Sequence, residues 1–126
     1  MITILGEDLN FDKAQAMKMA TALGGGLGRW GTVCGAVSGG VMALGFCYGR
    51  TKAEEIESRE KTYAKVQEML GEFERAFSSI QCRELIRLNL RDPEDRQKFE
   101  EMRLHGRCAR FVAKSAGSVR KLVKEK

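Results

Sequence analysis

The sequence predicts an all-α protein, a small helical bundle packed around a glycine-rich, buried central helix. Three observations predict it. Strand signals are nearly absent, Pro93 is the only proline, and helix starts and stops can be marked along most of the 126 residues. A chain of this length with 43% apolar content builds one core and hardly two, so residues 1–126 are expected to form a single helical domain.

Asn10 is the expected cap of a first helix from Phe11 to about Leu23, stopped by Gly24, Gly25 and Gly26. The loop GGGLGRWG follows. It invites comparison with phosphate-binding loops, but it trails a helix rather than a strand and lacks a Gly-Lys-Ser/Thr ending, so a nucleotide site is not expected. From Thr32 to Tyr48 the chain is apolar on nearly every side, with Thr32 as expected cap and Gly49 as stop, which reads as the buried central helix. The uncharged stretch from Trp30 to Gly49 is long enough to span a bilayer. Its glycines (Gly31, Gly35, Gly39, Gly40, Gly45, Gly49) weaken both helix propensity and insertion, so no membrane span is expected. The spacing of Gly35 and Gly39 instead lets another backbone come close.

Thr51 and Glu54 read as a capping box, opening a helix whose inner stripe is Ile56, Tyr63, Val66, Leu70, Phe73, Phe77 and Ile80. Asp92-Pro93-Glu94-Asp95 is the clearest helix start, with Asp92 as cap and acids where the helix dipole favours them; that helix should end near Leu104. Cys108, Phe111, Val112, Ser115, Val119, Leu122 and Val123 mark a final amphipathic helix that turns Cys108 inward.

The formal charge of +5 is uneven: Arg103 to Lys126 carries a net +7 and everything before it −2. Such a tail suits an acidic partner, but its one aromatic is Phe111 and no nucleic-acid motif frames it, so it reads as a solvated helix face with no specific nucleic-acid role. The opening MITILGEDLN has neither a basic lead nor a long apolar run, so a cytoplasmic location is expected, where sparse cysteines bind metal or react more often than they form structural disulfides.

The chemistry rests on the cysteines. Cys34, Cys82 and Cys108 each fall at an expected helix start, where unpaired N–H groups and the dipole favour a thiolate. Cys47 lies near a helix end, in apolar surroundings, and reads as core. On one continuous helix Cys34 and Cys47 would be about 19 Å apart along the axis and about 220° apart around it. They therefore cannot share an ion or a disulfide, and any joint site must bring Cys34 to Cys82, Cys108 or another chain. With no Cys-x-x-Cys pair, zinc-ribbon and thioredoxin-type sites lose their usual support. Arg29 is expected to offer charge to a nearby thiolate or anionic cluster. His105 reads as a surface histidine that could join Cys108. With one histidine and carboxylates on polar faces, no Ser/His/Asp set or acid-base dyad is supported, and no enzymatic reaction can be named.

GGGLGR, CGAVSGGVMALG with Cys34, CRELIRLNL with Cys82, and CARFVAKSA with Cys108 together resemble the prokaryotic redox-active family named after its C-GCAxxG-C-C cysteine pattern. The order and spacing agree over nearly the whole chain. The resemblance implies a small α-helical protein whose cysteines bind a metal or iron–sulfur centre or cycle redox state. It also implies a further cysteine on a leading helix ahead of Leu5, which this sequence lacks; either the start is trimmed, or three thiolates are completed by His105, water or a second subunit, and a homodimer is expected because the glycine-rich helix would expose apolar surface without that leading helix. The expected function is thus a redox or metal-binding protein with Cys34, Cys82 and Cys108 as ligands and Arg29 stabilising negative charge. An iron–sulfur cluster is the first candidate cargo and zinc the second, with a redox partner protein of unknown identity. A reversible thiol–disulfide protein, or a helical interaction module using its basic last helix, are the alternatives.

Overall fold

The computed structural model describes residues 12–124, and among them six helices follow one another: α1 (Lys13–Thr21), α2 (Gly35–Tyr48), α3 (Ile56–Phe77), α4 (Cys82–Ile86), α5 (Pro93–Glu101) and α6 (His105–Lys124). No strand forms among the described residues; the one element of β pairing is an isolated antiparallel bridge between Val33 and Gln81. The all-α architecture expected from the sequence is the one observed.

Helices α2, α3 and α6 pack on one another to make the core. Val37 and Leu44 of α2, Met69 and Phe73 of α3, and Val119 and Leu122 of α6 are all buried to within 1% of complete exclusion from solvent. Burial on that scale stabilises by about 1.5–3 kcal/mol per large apolar side chain. Phe73, Phe77 and Phe111 form an aromatic cluster, with ring centroids 4.9 Å apart for Phe73–Phe77 and Phe77–Phe111 and 6.0 Å for Phe73–Phe111. Glycine has a packing reason at Gly40, where a Cβ would lie 2.6 Å from both Met69 Sδ and Ser115 Oγ. Polar groups in this core are satisfied across helices: Ser115 Oγ donates to the Ala36 carbonyl at 2.8 Å, and Tyr48 OH donates to the Leu122 carbonyl.

Several element boundaries differ from expectation, each for a local reason. Asn10 and Phe11 lie outside the described residues, and α1 is capped by Asp12, whose Oδ1 accepts from the amides of Ala14 (2.9 Å) and Gln15 (3.2 Å). Thr32 does not cap α2; its hydroxyl donates to the Gly26 carbonyl at 2.9 Å, and Cys34 takes the N-cap position. The capping box at Thr51 does not form, because Thr51 Oγ1 engages Glu55 Oε1 at 3.1 Å and the chain turns once more before α3 begins. Within α3, Ile56 and Tyr63 are more than half exposed and Met69 takes the buried place that the expected stripe left out. Asp92 does cap α5, accepting from the Glu94 amide at 2.9 Å, but the helix stops at Glu101 ahead of a left-handed residue, Arg103.

The basic residues of α6 from Arg107 to Lys124 are exposed, as a solvated face requires. No helix among the described residues is long and apolar enough to cross a membrane.

Candidate redox site

Backbone pairing, rather than side-chain packing, brings the first two thiols together. Flanking the Val33–Gln81 bridge, the Cys34 amide donates to the Ile80 carbonyl at 2.8 Å and the Cys82 amide to the Thr32 carbonyl at 2.7 Å. In this register Cys34 stands opposite Ile80 and Cys82 opposite Thr32, so the two-residue alternation of extended chain sets both cysteines on one face. In a regular ladder that diagonal separates the residues by about 7–8 Å. A disulfide needs Cα atoms about 4.4–6.8 Å apart, closer than that ideal diagonal.

The third thiol arrives on α6. Cys34, Cys82 and Cys108 all line one cavity of about 330 Å³, together with the Gly24–Gly26 backbone, Leu90 and Phe99. The glycine loop closes it by an unusual route: Gly25, Gly26, Leu27, Gly28 and Arg29 all have positive φ, from 56° to 71°. A left-handed residue other than glycine costs about 1–2 kcal/mol, so Leu27 and Arg29 are held there against their preference. The hold comes from backbone hydrogen bonds across the turn, Gly28 to Ala22 (3.0 Å), Arg29 to Gly24 (3.1 Å), Gly31 to Gly25 (3.1 Å) and Thr32 to Gly26 (3.0 Å). One contact then requires glycine and a second favours it. A Cβ on Gly26 would lie 2.7 Å from the Cys82 Cβ, and one on Gly35 would lie 3.1 Å from the Leu23 carbonyl oxygen.

Burial sets the protonation of the thiols. Cys82 is pushed up to about 11, first by desolvation and then by the neighbouring sulfurs of Cys34 and Cys108. Cys108 is raised by desolvation and by Cys34, against the opposing charge of Arg107. Cys34 is raised by desolvation too, although the amides of Ala36 and Val37 at the start of α2 work the other way without forming a cap hydrogen bond to its sulfur. The expectation that helix starts would leave these cysteines as thiolates is therefore reversed, because loss of water outweighs the dipole. The mutual effects have a second meaning: the three sulfurs feel one another's charge across a shared, apolar space.

All four cysteines are free thiols. Among the described residues no group of three or more His, Cys, Asp or Glu side chains stands close enough to hold a metal ion. Three soft donors share a wall, but their spacing does not fit a single ion as they stand.

A family model described as "Putative redox-active protein (C_GCAxxG_C_C)" matches residues 1–122. The chain belongs to that family. No curated protein and no solved structure matches it.

In this C_GCAxxG_C_C protein the structure separates the residues singled out in the sequence into two groups. Cys34, Cys82 and Cys108 come together; Arg29, His105 and Cys47 do not join them. Arg29 is exposed and lines a neighbouring cavity, and the cation that acts on a thiol is Arg107, next to Cys108. His105 is exposed, with its Nε2 at 3.1 Å from Glu100 Oε1 and its ring edge-on to Phe99. Cys47 packs against the core. Sequence reasoning missed Gly26, Leu90 and Phe99 as walls of the cavity. Gly26 carried a signal, its place in a triple-glycine run; Leu90 and Phe99 carried none beyond being apolar.

Proposed function

We propose that the redox activity of this family member resides in Cys34, Cys82 and Cys108 acting as a thiol–disulfide centre. The observation that carries the reading is the bridge at Val33 and Gln81, whose register sets Cys34 and Cys82 on one face, both lining the same cavity. Cys34 is taken as the attacking sulfur in this reading: burial raises its thiol, and the Ala36 and Val37 amides at the start of α2 oppose that rise, as Arg107 does for Cys108. It attacks an external disulfide and expels one thiol; the sulfur of Cys82 or Cys108 then attacks the mixed disulfide and expels the second. One protein S–S bond forms, the oxidant's S–S bond breaks, and two protons leave the protein for the two released thiols. The reduced thiols are buried and protonated, so exchange requires the attacking sulfur to lose its proton first.

A second reading keeps these three cysteines as ligands of an iron–sulfur cluster or another soft metal. What favours it is the third thiol on the cavity wall, which a two-sulfur couple does not need. One experiment separates the two. The reduced protein is divided, one part treated with a mild disulfide oxidant and mapped by mass spectrometry, the other incubated without oxygen with iron and sulfide or with zinc. A bond between Cys34 and Cys82 or Cys108, with no metal retained, supports the thiol reading. Stoichiometric metal that is lost in Cys82→Ser supports the second, and neither result disposes of both.

A further inference from the structure

A second cavity, of about 600 Å³, abuts the thiol cavity. Gly24, Gly25, Leu90 and Phe99 line both, so the edge of the glycine loop and two apolar side chains form the partition between them. Its volume falls in the range of small-molecule sites, about 300–1,000 Å³. It carries two arginines against one carboxylate. Arg29 and Arg96 both line it, and neither forms an ion pair among the described residues. The carboxylate on its wall, Glu100, is engaged with His105 Nε2 at 3.1 and 3.3 Å. Two arginines without an ion pair thus stand on the wall of an open space, and planar, forked guanidinium is the side chain best matched to carboxylate.

Arg29 is fixed there by the backbone. Its φ of 68° is left-handed, and a Cβ on Gly25 would lie 2.8 Å from the Arg29 Cα and 2.9 Å from its Cγ, so the bare Gly25 is what allows the residue to sit over the partition.

On these grounds we infer that the second cavity binds small, carboxylate-bearing disulfides and thiols, with Arg29 and Arg96 holding the carboxylates and the sulfur end laid across Gly24 and Gly25 toward Cys34, Cys82 and Cys108. The inference rests on the thiol–disulfide reading, and supplies the substrate class that reading needs. The exchange is the balanced one given above: the bound disulfide takes two electrons and two protons and leaves as two thiols, and the protein keeps one new S–S bond.

The test uses the reduced protein and three reagents: oxidised glutathione, which carries carboxylates, neutral bis(2-hydroxyethyl) disulfide, and cationic cystamine. The rate of protein disulfide formation with each is divided by the same reagent's rate on the urea-unfolded chain, which removes intrinsic reactivity. The expected result is a preference of about tenfold for the carboxylate reagent, the size of one charge-assisted hydrogen bond. It collapses toward unity in Arg29→Gln and in Arg96→Gln, and in 0.5 M salt, and it is partly restored in Arg29→Lys. Circular dichroism of each variant establishes that it is folded. Equal normalised rates for all three reagents, or a preference that survives loss of both arginines, overturn the inference and leave the thiol reading standing. No disulfide with any reagent overturns both.

Discussion

The two sides of this molecule are built by different means. On one, α2, α3 and α6 interlock through fully buried side chains such as Leu44, Phe73 and Val119. On the other, the glycine loop, the Val33–Gln81 bridge and the five-residue α4 place three thiols through backbone hydrogen bonds and left-handed turns. The difference teaches how a small chain carries a site. Close-packed side chains supply stability and are indifferent to chemistry, whereas backbone contacts fix where sulfur atoms stand and contribute little apolar burial. Short helices and unusual φ values concentrate where function is proposed, as strained positions tend to do.

The largest expected effect tests the packed side. Phe73 is 1% exposed and sits against Phe77 and Phe111, so Phe73→Ala should lower unfolding free energy by about 3–5 kcal/mol in urea titrations. The folded fraction should still form the same protein disulfide. A changed pattern of bonded cysteines in that fraction would break the division between the two sides.

Gly26→Ala tests the other side. Its φ of 71° disfavours any Cβ, and the new methyl would lie 2.7 Å from the Cys82 Cβ. We expect a loss of about 1–3 kcal/mol, smaller than for Phe73, but with a large fall in the rate at which Cys82 is captured into a disulfide. Unchanged capture would mean that the loop does not position that sulfur.

How much of this was legible in the sequence follows the same division. The packed side is written as periodicity: the stripe Val66, Leu70, Phe73, Phe77 and the stripe Phe111, Ser115, Val119, Leu122 both lie on buried faces, because side-chain burial repeats with the helix. Asp92-Pro93 announced its helix because the cap is a local side-chain interaction. The site was legible only as residue types. Three cysteines could be named, but the bridge that aligns two of them joins residues 48 positions apart and leaves no alternation to read. The caps expected at Thr32 and Thr51 failed for a related reason, since short polar side chains take whichever local partner the chain offers. Arg29, expected beside a thiolate or anionic cluster, stands on the wall of the neighbouring cavity, which its left-handed backbone helps to shape and no local pattern announces.

Alkaline titration gives a smaller effect, confined to the thiol side. The thiol of Cys82 keeps its proton to about 11 in the folded protein against an ordinary value of 9.0. Its contribution to stability is present below about pH 9 and is lost as pH rises toward about 11, because the unfolded chain sheds that proton first. The melting temperature should therefore fall between pH 8.5 and 10.5, and less steeply in Cys82→Ser. Alkylation of Cys82 by iodoacetamide in the folded protein should rise over the same window. Parallel melting curves for the two proteins would mean that the thiol is not buried as described.

The smallest effect lies at the opposite end of the pH scale and on the packed side. Glu72 of α3 accepts hydrogen bonds from Ser118 Oγ (2.6 Å) and Lys121 Nζ on α6, and the lysine first, then the serine, hold its carboxyl below the usual value of 4.5. A depressed carboxyl stabilises the fold above its unfolded value, and that contribution is lost as pH falls through the lower folded one. Lys121 is more than half exposed, so solvent screens the pair and Glu72→Gln should cost less than about 1 kcal/mol at pH 7. Melting temperatures of the two proteins should draw together as pH falls below 4.5 and converge only below the lowered folded value, where the carboxylate is neutral in both states. Because Glu72, Ser118 and Lys121 tie α3 to α6 without lining the thiol cavity, loss of Glu72 should leave disulfide formation untouched; a coupled change would show that α6, which also carries Cys108, transmits packing to the site.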